Sequence, residues 1–188
     1  MRIRTPILVA AVVLGAALSS RADTFGVDPV HSTALFRIKH LGTSYTHGRF
    51  NDVSGSIVTD PDLAKSSVEI VIKAESVDTH LEKRDQHLRS ADFLNVKEFP
   101  TITFKSREVK SAGADAFDVT GDLTLHGVTK PLTIRVEKTG SGKDMKGNEL
   151  IGFETVFTVK RSDFGMDYMV GPVGDEVRMT LAVEAGKK

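Results

Sequence analysis

No cysteine occurs anywhere in the 188 residues. Disulfides, thiolate nucleophiles and cysteine-held metals are therefore excluded outright. Tryptophan is missing too, and aromatic residues make up only 6% of the chain. Net charge is also absent, with 25 Lys+Arg against 25 Asp+Glu. A strongly basic nucleic-acid face is not expected from that balance. The longest apolar run, Ile7 to Leu18, has 12 residues and is too short to cross a bilayer. The Gly-x-Ser-x-Gly elbow of serine hydrolases and the His-Glu-x-x-His run of zinc proteases do not occur.

The short apolar run has a reading of its own. Arg2 and Arg4 precede it and Ser20-Arg21-Ala22 follows it. A positive start, an apolar centre and small residues at the cut make a secretory signal peptide over residues 1–22. Its removal takes away Arg2, Arg4 and Arg21 and no acid, leaving 22 basic against 25 acidic side chains. Residues 23–188 then form one near-neutral exported domain, large enough for a real core. Such a balance offers little to anionic membrane surfaces, and stable membrane insertion of this domain is not expected.

Most of what remains alternates with period two. Ala34, Phe36 and Ile38 share one face; Val68, Ile70 and Ile72 share another. Phe104 falls in a third set with Ile102, and Leu123 and Leu125 in a fourth with Val119. Ile134 lies between Leu132 and Val136. Ile151, Phe153, Thr155, Phe157 and Val159 follow, and Met179, Leu181 and Val183 close the chain. This is the pattern of half-buried strands. Tyr45 to Thr59 reads as one long strand bent at Gly48 and Gly55. His126-Gly127, followed by Lys130-Pro131, reads as a hairpin connection. Thr139 to Asn148 reads as a Gly/Ser/Lys loop tip. Eight or nine strands chained without crossover helices imply an antiparallel sheet. So many strands either pack as a sandwich or close into a barrel. Periodicity alone leaves a packed core and an elongated apolar cavity equally open.

One stretch breaks the pattern. His80 to Phe99 reads as helix, with Thr79-x-x-Glu82 as a capping box. Leu81, Asp85 and Leu88 fall on one face, and Asp85 and Arg89 have the spacing of an i,i+4 ion pair. Ser90 can cap a second short turn carrying Phe93 and Leu94, and Pro100 ends the helical possibilities. A helical plug at one end of a β-structure is the expectation. The competing reading is a catalytic group made from Asp85, His87, Arg89 and Asp92. His80 and His87 fall on one helix face about 10 Å apart, too far to share a zinc ion. No metal site is expected. His40, in phase with Phe36 and Ile38, points inward.

Two long runs carry a resemblance. Arg84-Asp-Gln-His-Leu-Arg-Ser-Ala-Asp-Phe-Leu94 and Thr120-Gly-Asp-Leu-Thr-Leu-His-Gly-Val-Thr-Lys-Pro-Leu132 resemble the signature stretches of the YceI family, the polyisoprenoid-binding periplasmic proteins. Phe36-Arg-Ile-Lys-His-Leu-Gly42, Ser76-Val-Asp-Thr79, Phe153 and Asp163-Phe164 support it, in the same order along the whole domain. His126 stands where many relatives have Asn. The resemblance implies an all-β fold, an eight-stranded, extended, antiparallel lipocalin-like barrel with one or two short helices closing one end. It implies a polyisoprenoid, an isoprenoid quinone or a similar amphiphilic lipid held in the barrel, in the periplasm, for transport or storage, without another cofactor. The inward residues that would line its cavity are Phe36, Ile38, His40, Ile57, Ile70, Ile72, Phe104, Leu123, Leu125, Ile134, Phe153, Phe157, Met179 and Leu181. A homodimer is left open, with a strand edge or the Met166–Val170 loop as the contact. An enzyme acting on a small amphiphile and a stress-response interaction protein remain the alternatives to a carrier.

Overall fold

The computed structural model describes residues 21–188. The expected signal peptide lies outside the described residues, apart from its last two. Eleven strands follow: β1 (Asp23–Val27), β2 (Thr33–His40), β3 (Ser44–Phe50), β4 (Val53–Thr59), β5 (Ser67–Lys73), β6 (Val77–Asp78), β7 (Thr101–Ser111), β8 (Ala116–Leu125), β9 (Val128–Lys143), β10 (Glu149–Lys160) and β11 (Val173–Lys187). They pair antiparallel in the order β1-β4-β5-β7-β8-β9-β10-β11-β2-β3-β6, and β1 also pairs with β11.

This order is an eight-stranded barrel with three interrupted staves. β1 and β2 share one edge of β11, in the registers Phe25↔Lys187 and Thr33↔Ala182. They act as one stave broken at Asp28–Ser32. β3 with β4 makes the next stave, and β5 with β6 the third. Closure leaves only short strand edges, at β6 and the first half of β3. The bend of the second stave falls at Asn51–Asp52, not at Gly48 or Gly55. There Asn51 N–H donates to the Ser76 carbonyl at 3.1 Å, and Lys73 N–H donates to the Asp52 carbonyl at 3.0 Å. Gly48 has a different use. It faces Phe36 across the ladder, and a Cβ at 48 would lie 2.4 Å from the Phe36 ring. The missing side chain lets that ring lie over the strand.

The connections follow turn chemistry. β8 and β9 meet through His126 (φ 51°) and Gly127 (φ 74°), with Leu125 opposite Val128. Two consecutive positive φ values make the two-residue turn whose twist matches a hairpin. The Thr139–Asn148 segment corrects the expectation of a loop. β9 continues through Gly140-Ser-Gly to Lys143, opposite Glu149, and the tip is only Asp144–Asn148. The Asp144 carboxylate accepts N–H bonds from Lys146 and Asn148 there, at 2.8 Å each. Residues 139–143 thus gain ladder bonds that outweigh the glycine content.

Helix α1 (Glu82–Arg89) lies at one end of the barrel, which we term the helix end. The β8–β9 turn and the segment between β10 and β11 share that end. The turns 60–66, 112–115 and 144–148 lie at the far end. No described helix is long and apolar enough to cross a membrane. The buried apolar residues do not form one core. Phe25, Ala34, Phe50, Val53, Ile57, Ile70 and their neighbours make one cluster; Phe104, Val119, Leu123, Leu125, Ile134 and Phe164 make a second. Leu94 and Ile102 touch both. The space between the two walls is the candidate site.

Candidate functional site

A cavity of about 620 Å³ runs between the walls, within the 300–1,000 Å³ range of small-molecule sites. Its interior is lined by inward side chains of nearly every strand. Phe36, Ile38 and His40 come from β2, Ile57 from β4, Ile70 and Ile72 from β5, and Phe104 from β7. Leu123 and Leu125 come from β8, Ile134 from β9, Phe153 and Phe157 from β10, and Met179 and Leu181 from β11. All fourteen residues singled out from the sequence therefore face one space. Phe36, Ile38, Phe153, Phe157, Met179 and Leu181 are only half-buried, because part of their surface faces the hollow rather than neighbours. The wall is a cavity lining, which separates it from the packed-core alternative. Thr155, buried in the same row, gives its hydroxyl proton to the Arg135 carbonyl at 2.7 Å. Its polarity is thereby spent on the wall.

Polar groups gather at the ends. Thr59, Asp60, Ser66 and Ser67 line the far end; His40, Thr46, Thr79, Arg84 and His87 line the helix end. The plug at the helix end is built differently from the expectation. α1 begins after Leu81, which caps nothing with its side chain and is 53% exposed. No capping box forms. Instead Asp85, 4% exposed, accepts from both Thr79 N–H (2.9 Å) and the Thr79 hydroxyl. Arg84 Nε donates to the Thr79 hydroxyl at 2.7 Å and Nη2 to the Thr79 carbonyl. Arg89 is not paired with Asp85. Its guanidinium donates to the carbonyls of Glu75 (2.8 Å) and Val77 (2.9 Å). The reason is shared: the chain from 75 to 79 arrives with unpaired backbone groups, and satisfying buried ones outweighs an exposed ion pair. The face turned to the cavity is consequently Arg84, His87 and Leu88, not Leu81, Asp85 and Leu88.

His80 lies before the helix with φ 59° and its side chain in solvent, so it does not share a face with His87. His40 and His47 lie on opposite faces of the wall, because His47 stands opposite the outward Arg37. His87 bonds Asp92 at 2.9 Å, and its ring meets Phe93 (5.0 Å) and Tyr168 (5.6 Å) edge-on; Phe93 and Tyr168 meet at 5.4 Å. This three-ring contact joins the helix to the β10–β11 segment. Asp85 and Arg89 are committed to backbone and threonine bonds, so the four-residue catalytic group does not assemble around a common point. Ser90 does cap the short turn after α1, its hydroxyl oxygen accepting from Asp92 N–H at 3.3 Å.

Arg161 is the charged lining residue most deeply buried, and it was not among those singled out from the sequence. Arg161, 3% exposed, heads a 3-10 turn (Arg161–Phe164) and lines the cavity. It donates to four carbonyls: Gly174 (2.9 Å), Val173 (3.1 Å), Tyr168 (2.8 Å) and Met166. Burial lowers its pKa, opposed by the nearby charges of Asp175 and Asp167. A signal existed, since Arg161 continues the inward phase of Phe157 and Val159. A polar residue in an apolar row is a place to look for a buried clamp.

A closed antiparallel barrel with an apolar hollow and polar ends defines a small binding barrel, the architecture that encloses one ligand inside eight strands. A family model for the YceI-like domain matches residues 25–185. The chain belongs to the YceI family. It is similar to the UPF0312 protein of Pseudomonas aeruginosa, 45% identical over 183 residues and covering 94% of this chain and 95% of that one. A UPF0312 protein of Pectobacterium carotovorum is 43% identical over 180 residues, covering 94% and 93%. Among solved structures, Campylobacter jejuni YCEI protein superposes with a TM-score of 0.71 at 34% identity, over 80% of this chain and 90% of that one. Burkholderia cenocepacia BcnA superposes at 0.76 with 26% identity, over 84% and 98%. A polyisoprenoid binding domain from Saccharophagus degradans shares the fold at 0.70, with 17% identity over 87% and 98%.

Proposed function

We propose that the protein is an exported carrier that holds a polyisoprenoid, such as an isoprenoid quinone, or a similar amphiphilic lipid inside the barrel. The carrying observation is the 620 Å³ hollow with its apolar wall and polar ends. A prenyl chain gains about 0.8 kcal/mol for each CH₂-sized unit taken out of water. Such a ligand suits a long apolar tube, and its head group suits a polar end. His40, Thr46, Arg84 and His87 supply donors and acceptors at the helix end. The fold shared with a polyisoprenoid binding domain agrees with this use of the architecture. The N-terminal residues 1–22 agree with export to the periplasm, where a water-insoluble lipid needs a carrier. Binding for transport or storage, not turnover, is the reading that suits a lining dominated by unreactive side chains.

The test compares two aspartates. Phe153→Asp puts a carboxylate in the wall, whereas Val156→Asp puts one on the outside of the same strand. An unpaired charge in an apolar site is strongly disfavoured. Phe153→Asp should therefore retain less than about a tenth of the bound lipid, and Val156→Asp nearly all of it. Equal lipid content in the two folded variants would sink the carrier reading.

A further inference from the structure

The near-neutral overall charge hides a local asymmetry beside the helix end of the cavity. Arg178, Arg37 and His47 stand in one register row across β11, β2 and β3, on the outer face of the barrel. Lys39 lies on the same face two residues along. Like charges directly opposite one another destabilise a sheet. Yet among the described residues no carboxylate stands within ion-pair distance of Arg37, Lys39 or Arg178. The nearby acids have other partners or registers. Asp175 accepts from Ser162 N–H (2.9 Å) and its hydroxyl (2.8 Å), and Glu176 stands in register with Lys160. Asp175 and Glu176 nonetheless line the same groove as Arg37, Lys39 and Arg178, which leaves it one positive charge in excess. Tyr45 lies under both Arg37 (4.5 Å) and Lys39 (4.7 Å), half in solvent.

Directly beyond this row the rim is apolar. Leu41 is 61% exposed, and Met169 and Val170 are 45% exposed. The two turns that carry them abut, with Leu41 N–H donating to the Pro172 carbonyl at 2.7 Å. Leu41 (φ 47°) and Met169 (φ 52°) both adopt the left-handed backbone that side chains other than glycine and asparagine avoid. Two strained backbones thus present large apolar side chains to water. Met169 also lines the cavity, so this apolar tip is continuous with the cavity wall.

We propose that this rim is a peripheral docking surface for an anionic lipid bilayer, through which the cavity exchanges its cargo. Leu41, Met169 and Val170 would enter the headgroup boundary, Tyr45 would sit at its level, and Arg37, Lys39 and Arg178 would meet lipid phosphates. The three cations of the groove outnumber its two carboxylates, and this excess favours an anionic surface over a second copy of the chain, which would carry the same excess. The proposal extends the carrier reading, on which it rests for its purpose, by naming where the lipid enters.

The full chain, exported and purified from a bacterial host, would be co-sedimented with vesicles of phosphatidylcholine alone and with vesicles containing phosphatidylglycerol. Preference for the anionic vesicles is expected, falling about fivefold for each cation removed and about a hundredfold in Arg37→Ala/Lys39→Ala/Arg178→Ala. Leu41→Asp/Met169→Asp should also lose binding, at unchanged circular dichroism. Wild-type binding that is absent, or equal on both vesicle types, or unchanged in the triple variant, would overturn the proposal. A wild-type dimer that the variants dissociate, without vesicle binding, would overturn it in favour of a second copy. Lipid extracted from each preparation keeps the two readings apart. An empty barrel that still binds anionic vesicles through these residues contradicts the carrier and supports the docking surface.

Discussion

Replacing Arg161 with methionine isolates the cost of the buried clamp at the cavity rim. The variant keeps an unbranched stem of similar length and deletes the guanidinium. Four carbonyls, those of Met166, Tyr168, Val173 and Gly174, lose their donors at once. A hydrogen bond to a charged group contributes about 1.5–3 kcal/mol, so the gross loss is about 6–12 kcal/mol. Two effects offset most of it. The unfolded state no longer gives up the hydration of a cation, which recovers several kcal/mol. The Tyr168–Gly174 loop is largely exposed, and freed carbonyls there can turn to water. The net expectation is about 3 kcal/mol of destabilisation. At about 2–4 °C per kcal/mol for a domain of this size, Tm should fall by about 6–12 °C. Urea unfolding at neutral pH measures the first quantity and calorimetry the second. Amide exchange should accelerate first at Val170 and Val173, whose N–H groups bond to Asp167 and Met169 inside the clamped loop. Arg161→Lys should recover less than half of the loss, because one ammonium cannot reach carbonyls spread over a fork. A change under about 0.5 kcal/mol for Arg161→Met, the size of an ordinary surface substitution, would refute the clamp.

Other consequences follow from single contacts. Asp85→Leu should cost about 3 kcal/mol in urea unfolding, because it strands the buried Thr79 N–H and hydroxyl; Glu82→Ala, at the absent capping box, should cost under about 0.5 kcal/mol. At position 126, valine should cost about 2–3 kcal/mol through left-handed strain and loss of the bond between Nδ1 and the Phe164 carbonyl, whereas asparagine should cost about 1 kcal/mol. Asp28 raises the pKa of His31 through a 2.8 Å hydrogen bond, and His31 in turn lowers that of Asp28. The raised histidine value favours folding below 6.5 and loses that contribution as pH rises through it; the lowered aspartate value favours folding above 3.8 and loses its contribution as pH falls. The pair therefore acts between those limits, and an NMR titration should place the His31 midpoint above 6.5, returning towards it in Asp28→Asn. Leu181→Trp should fill the hollow and lower lipid capacity while leaving the fold intact, as extraction and circular dichroism would show.

The barrel was legible because its signal is repeated. Each stave alternates, and one residue's parity predicts the next, so the fourteen inward residues share one space without any being individually distinctive. The hollow itself was not legible. Phe36 and Ile38 have the same parity whether they interlock with partners or stop short of them, and only the distance between opposite walls decides. The helix segment misled for a related reason. Thr79, Glu82, Asp85 and Arg89 have the spacing of a self-sufficient helix, and spacing contains no information about the strand end arriving at 75–79. Backbone groups of that strand end recruited Asp85, Arg84 and Arg89 away from their local partners. Gly140-Ser-Gly misled in the opposite direction, because ladder bonds to β10 outweighed its flexibility. The juxtaposition of Arg178 and Arg37 was invisible for a third reason: the two are far apart in the chain and meet only through register.

The most direct test of the carrier reading is mass spectrometry of an organic extract of the protein purified gently from its native host. About one equivalent of a long-chain isoprenoid lipid per folded chain is expected, displaced in Phe153→Asp. A folded protein that yields no such lipid, and takes none up from vesicles containing isoprenoid quinone, would contradict it.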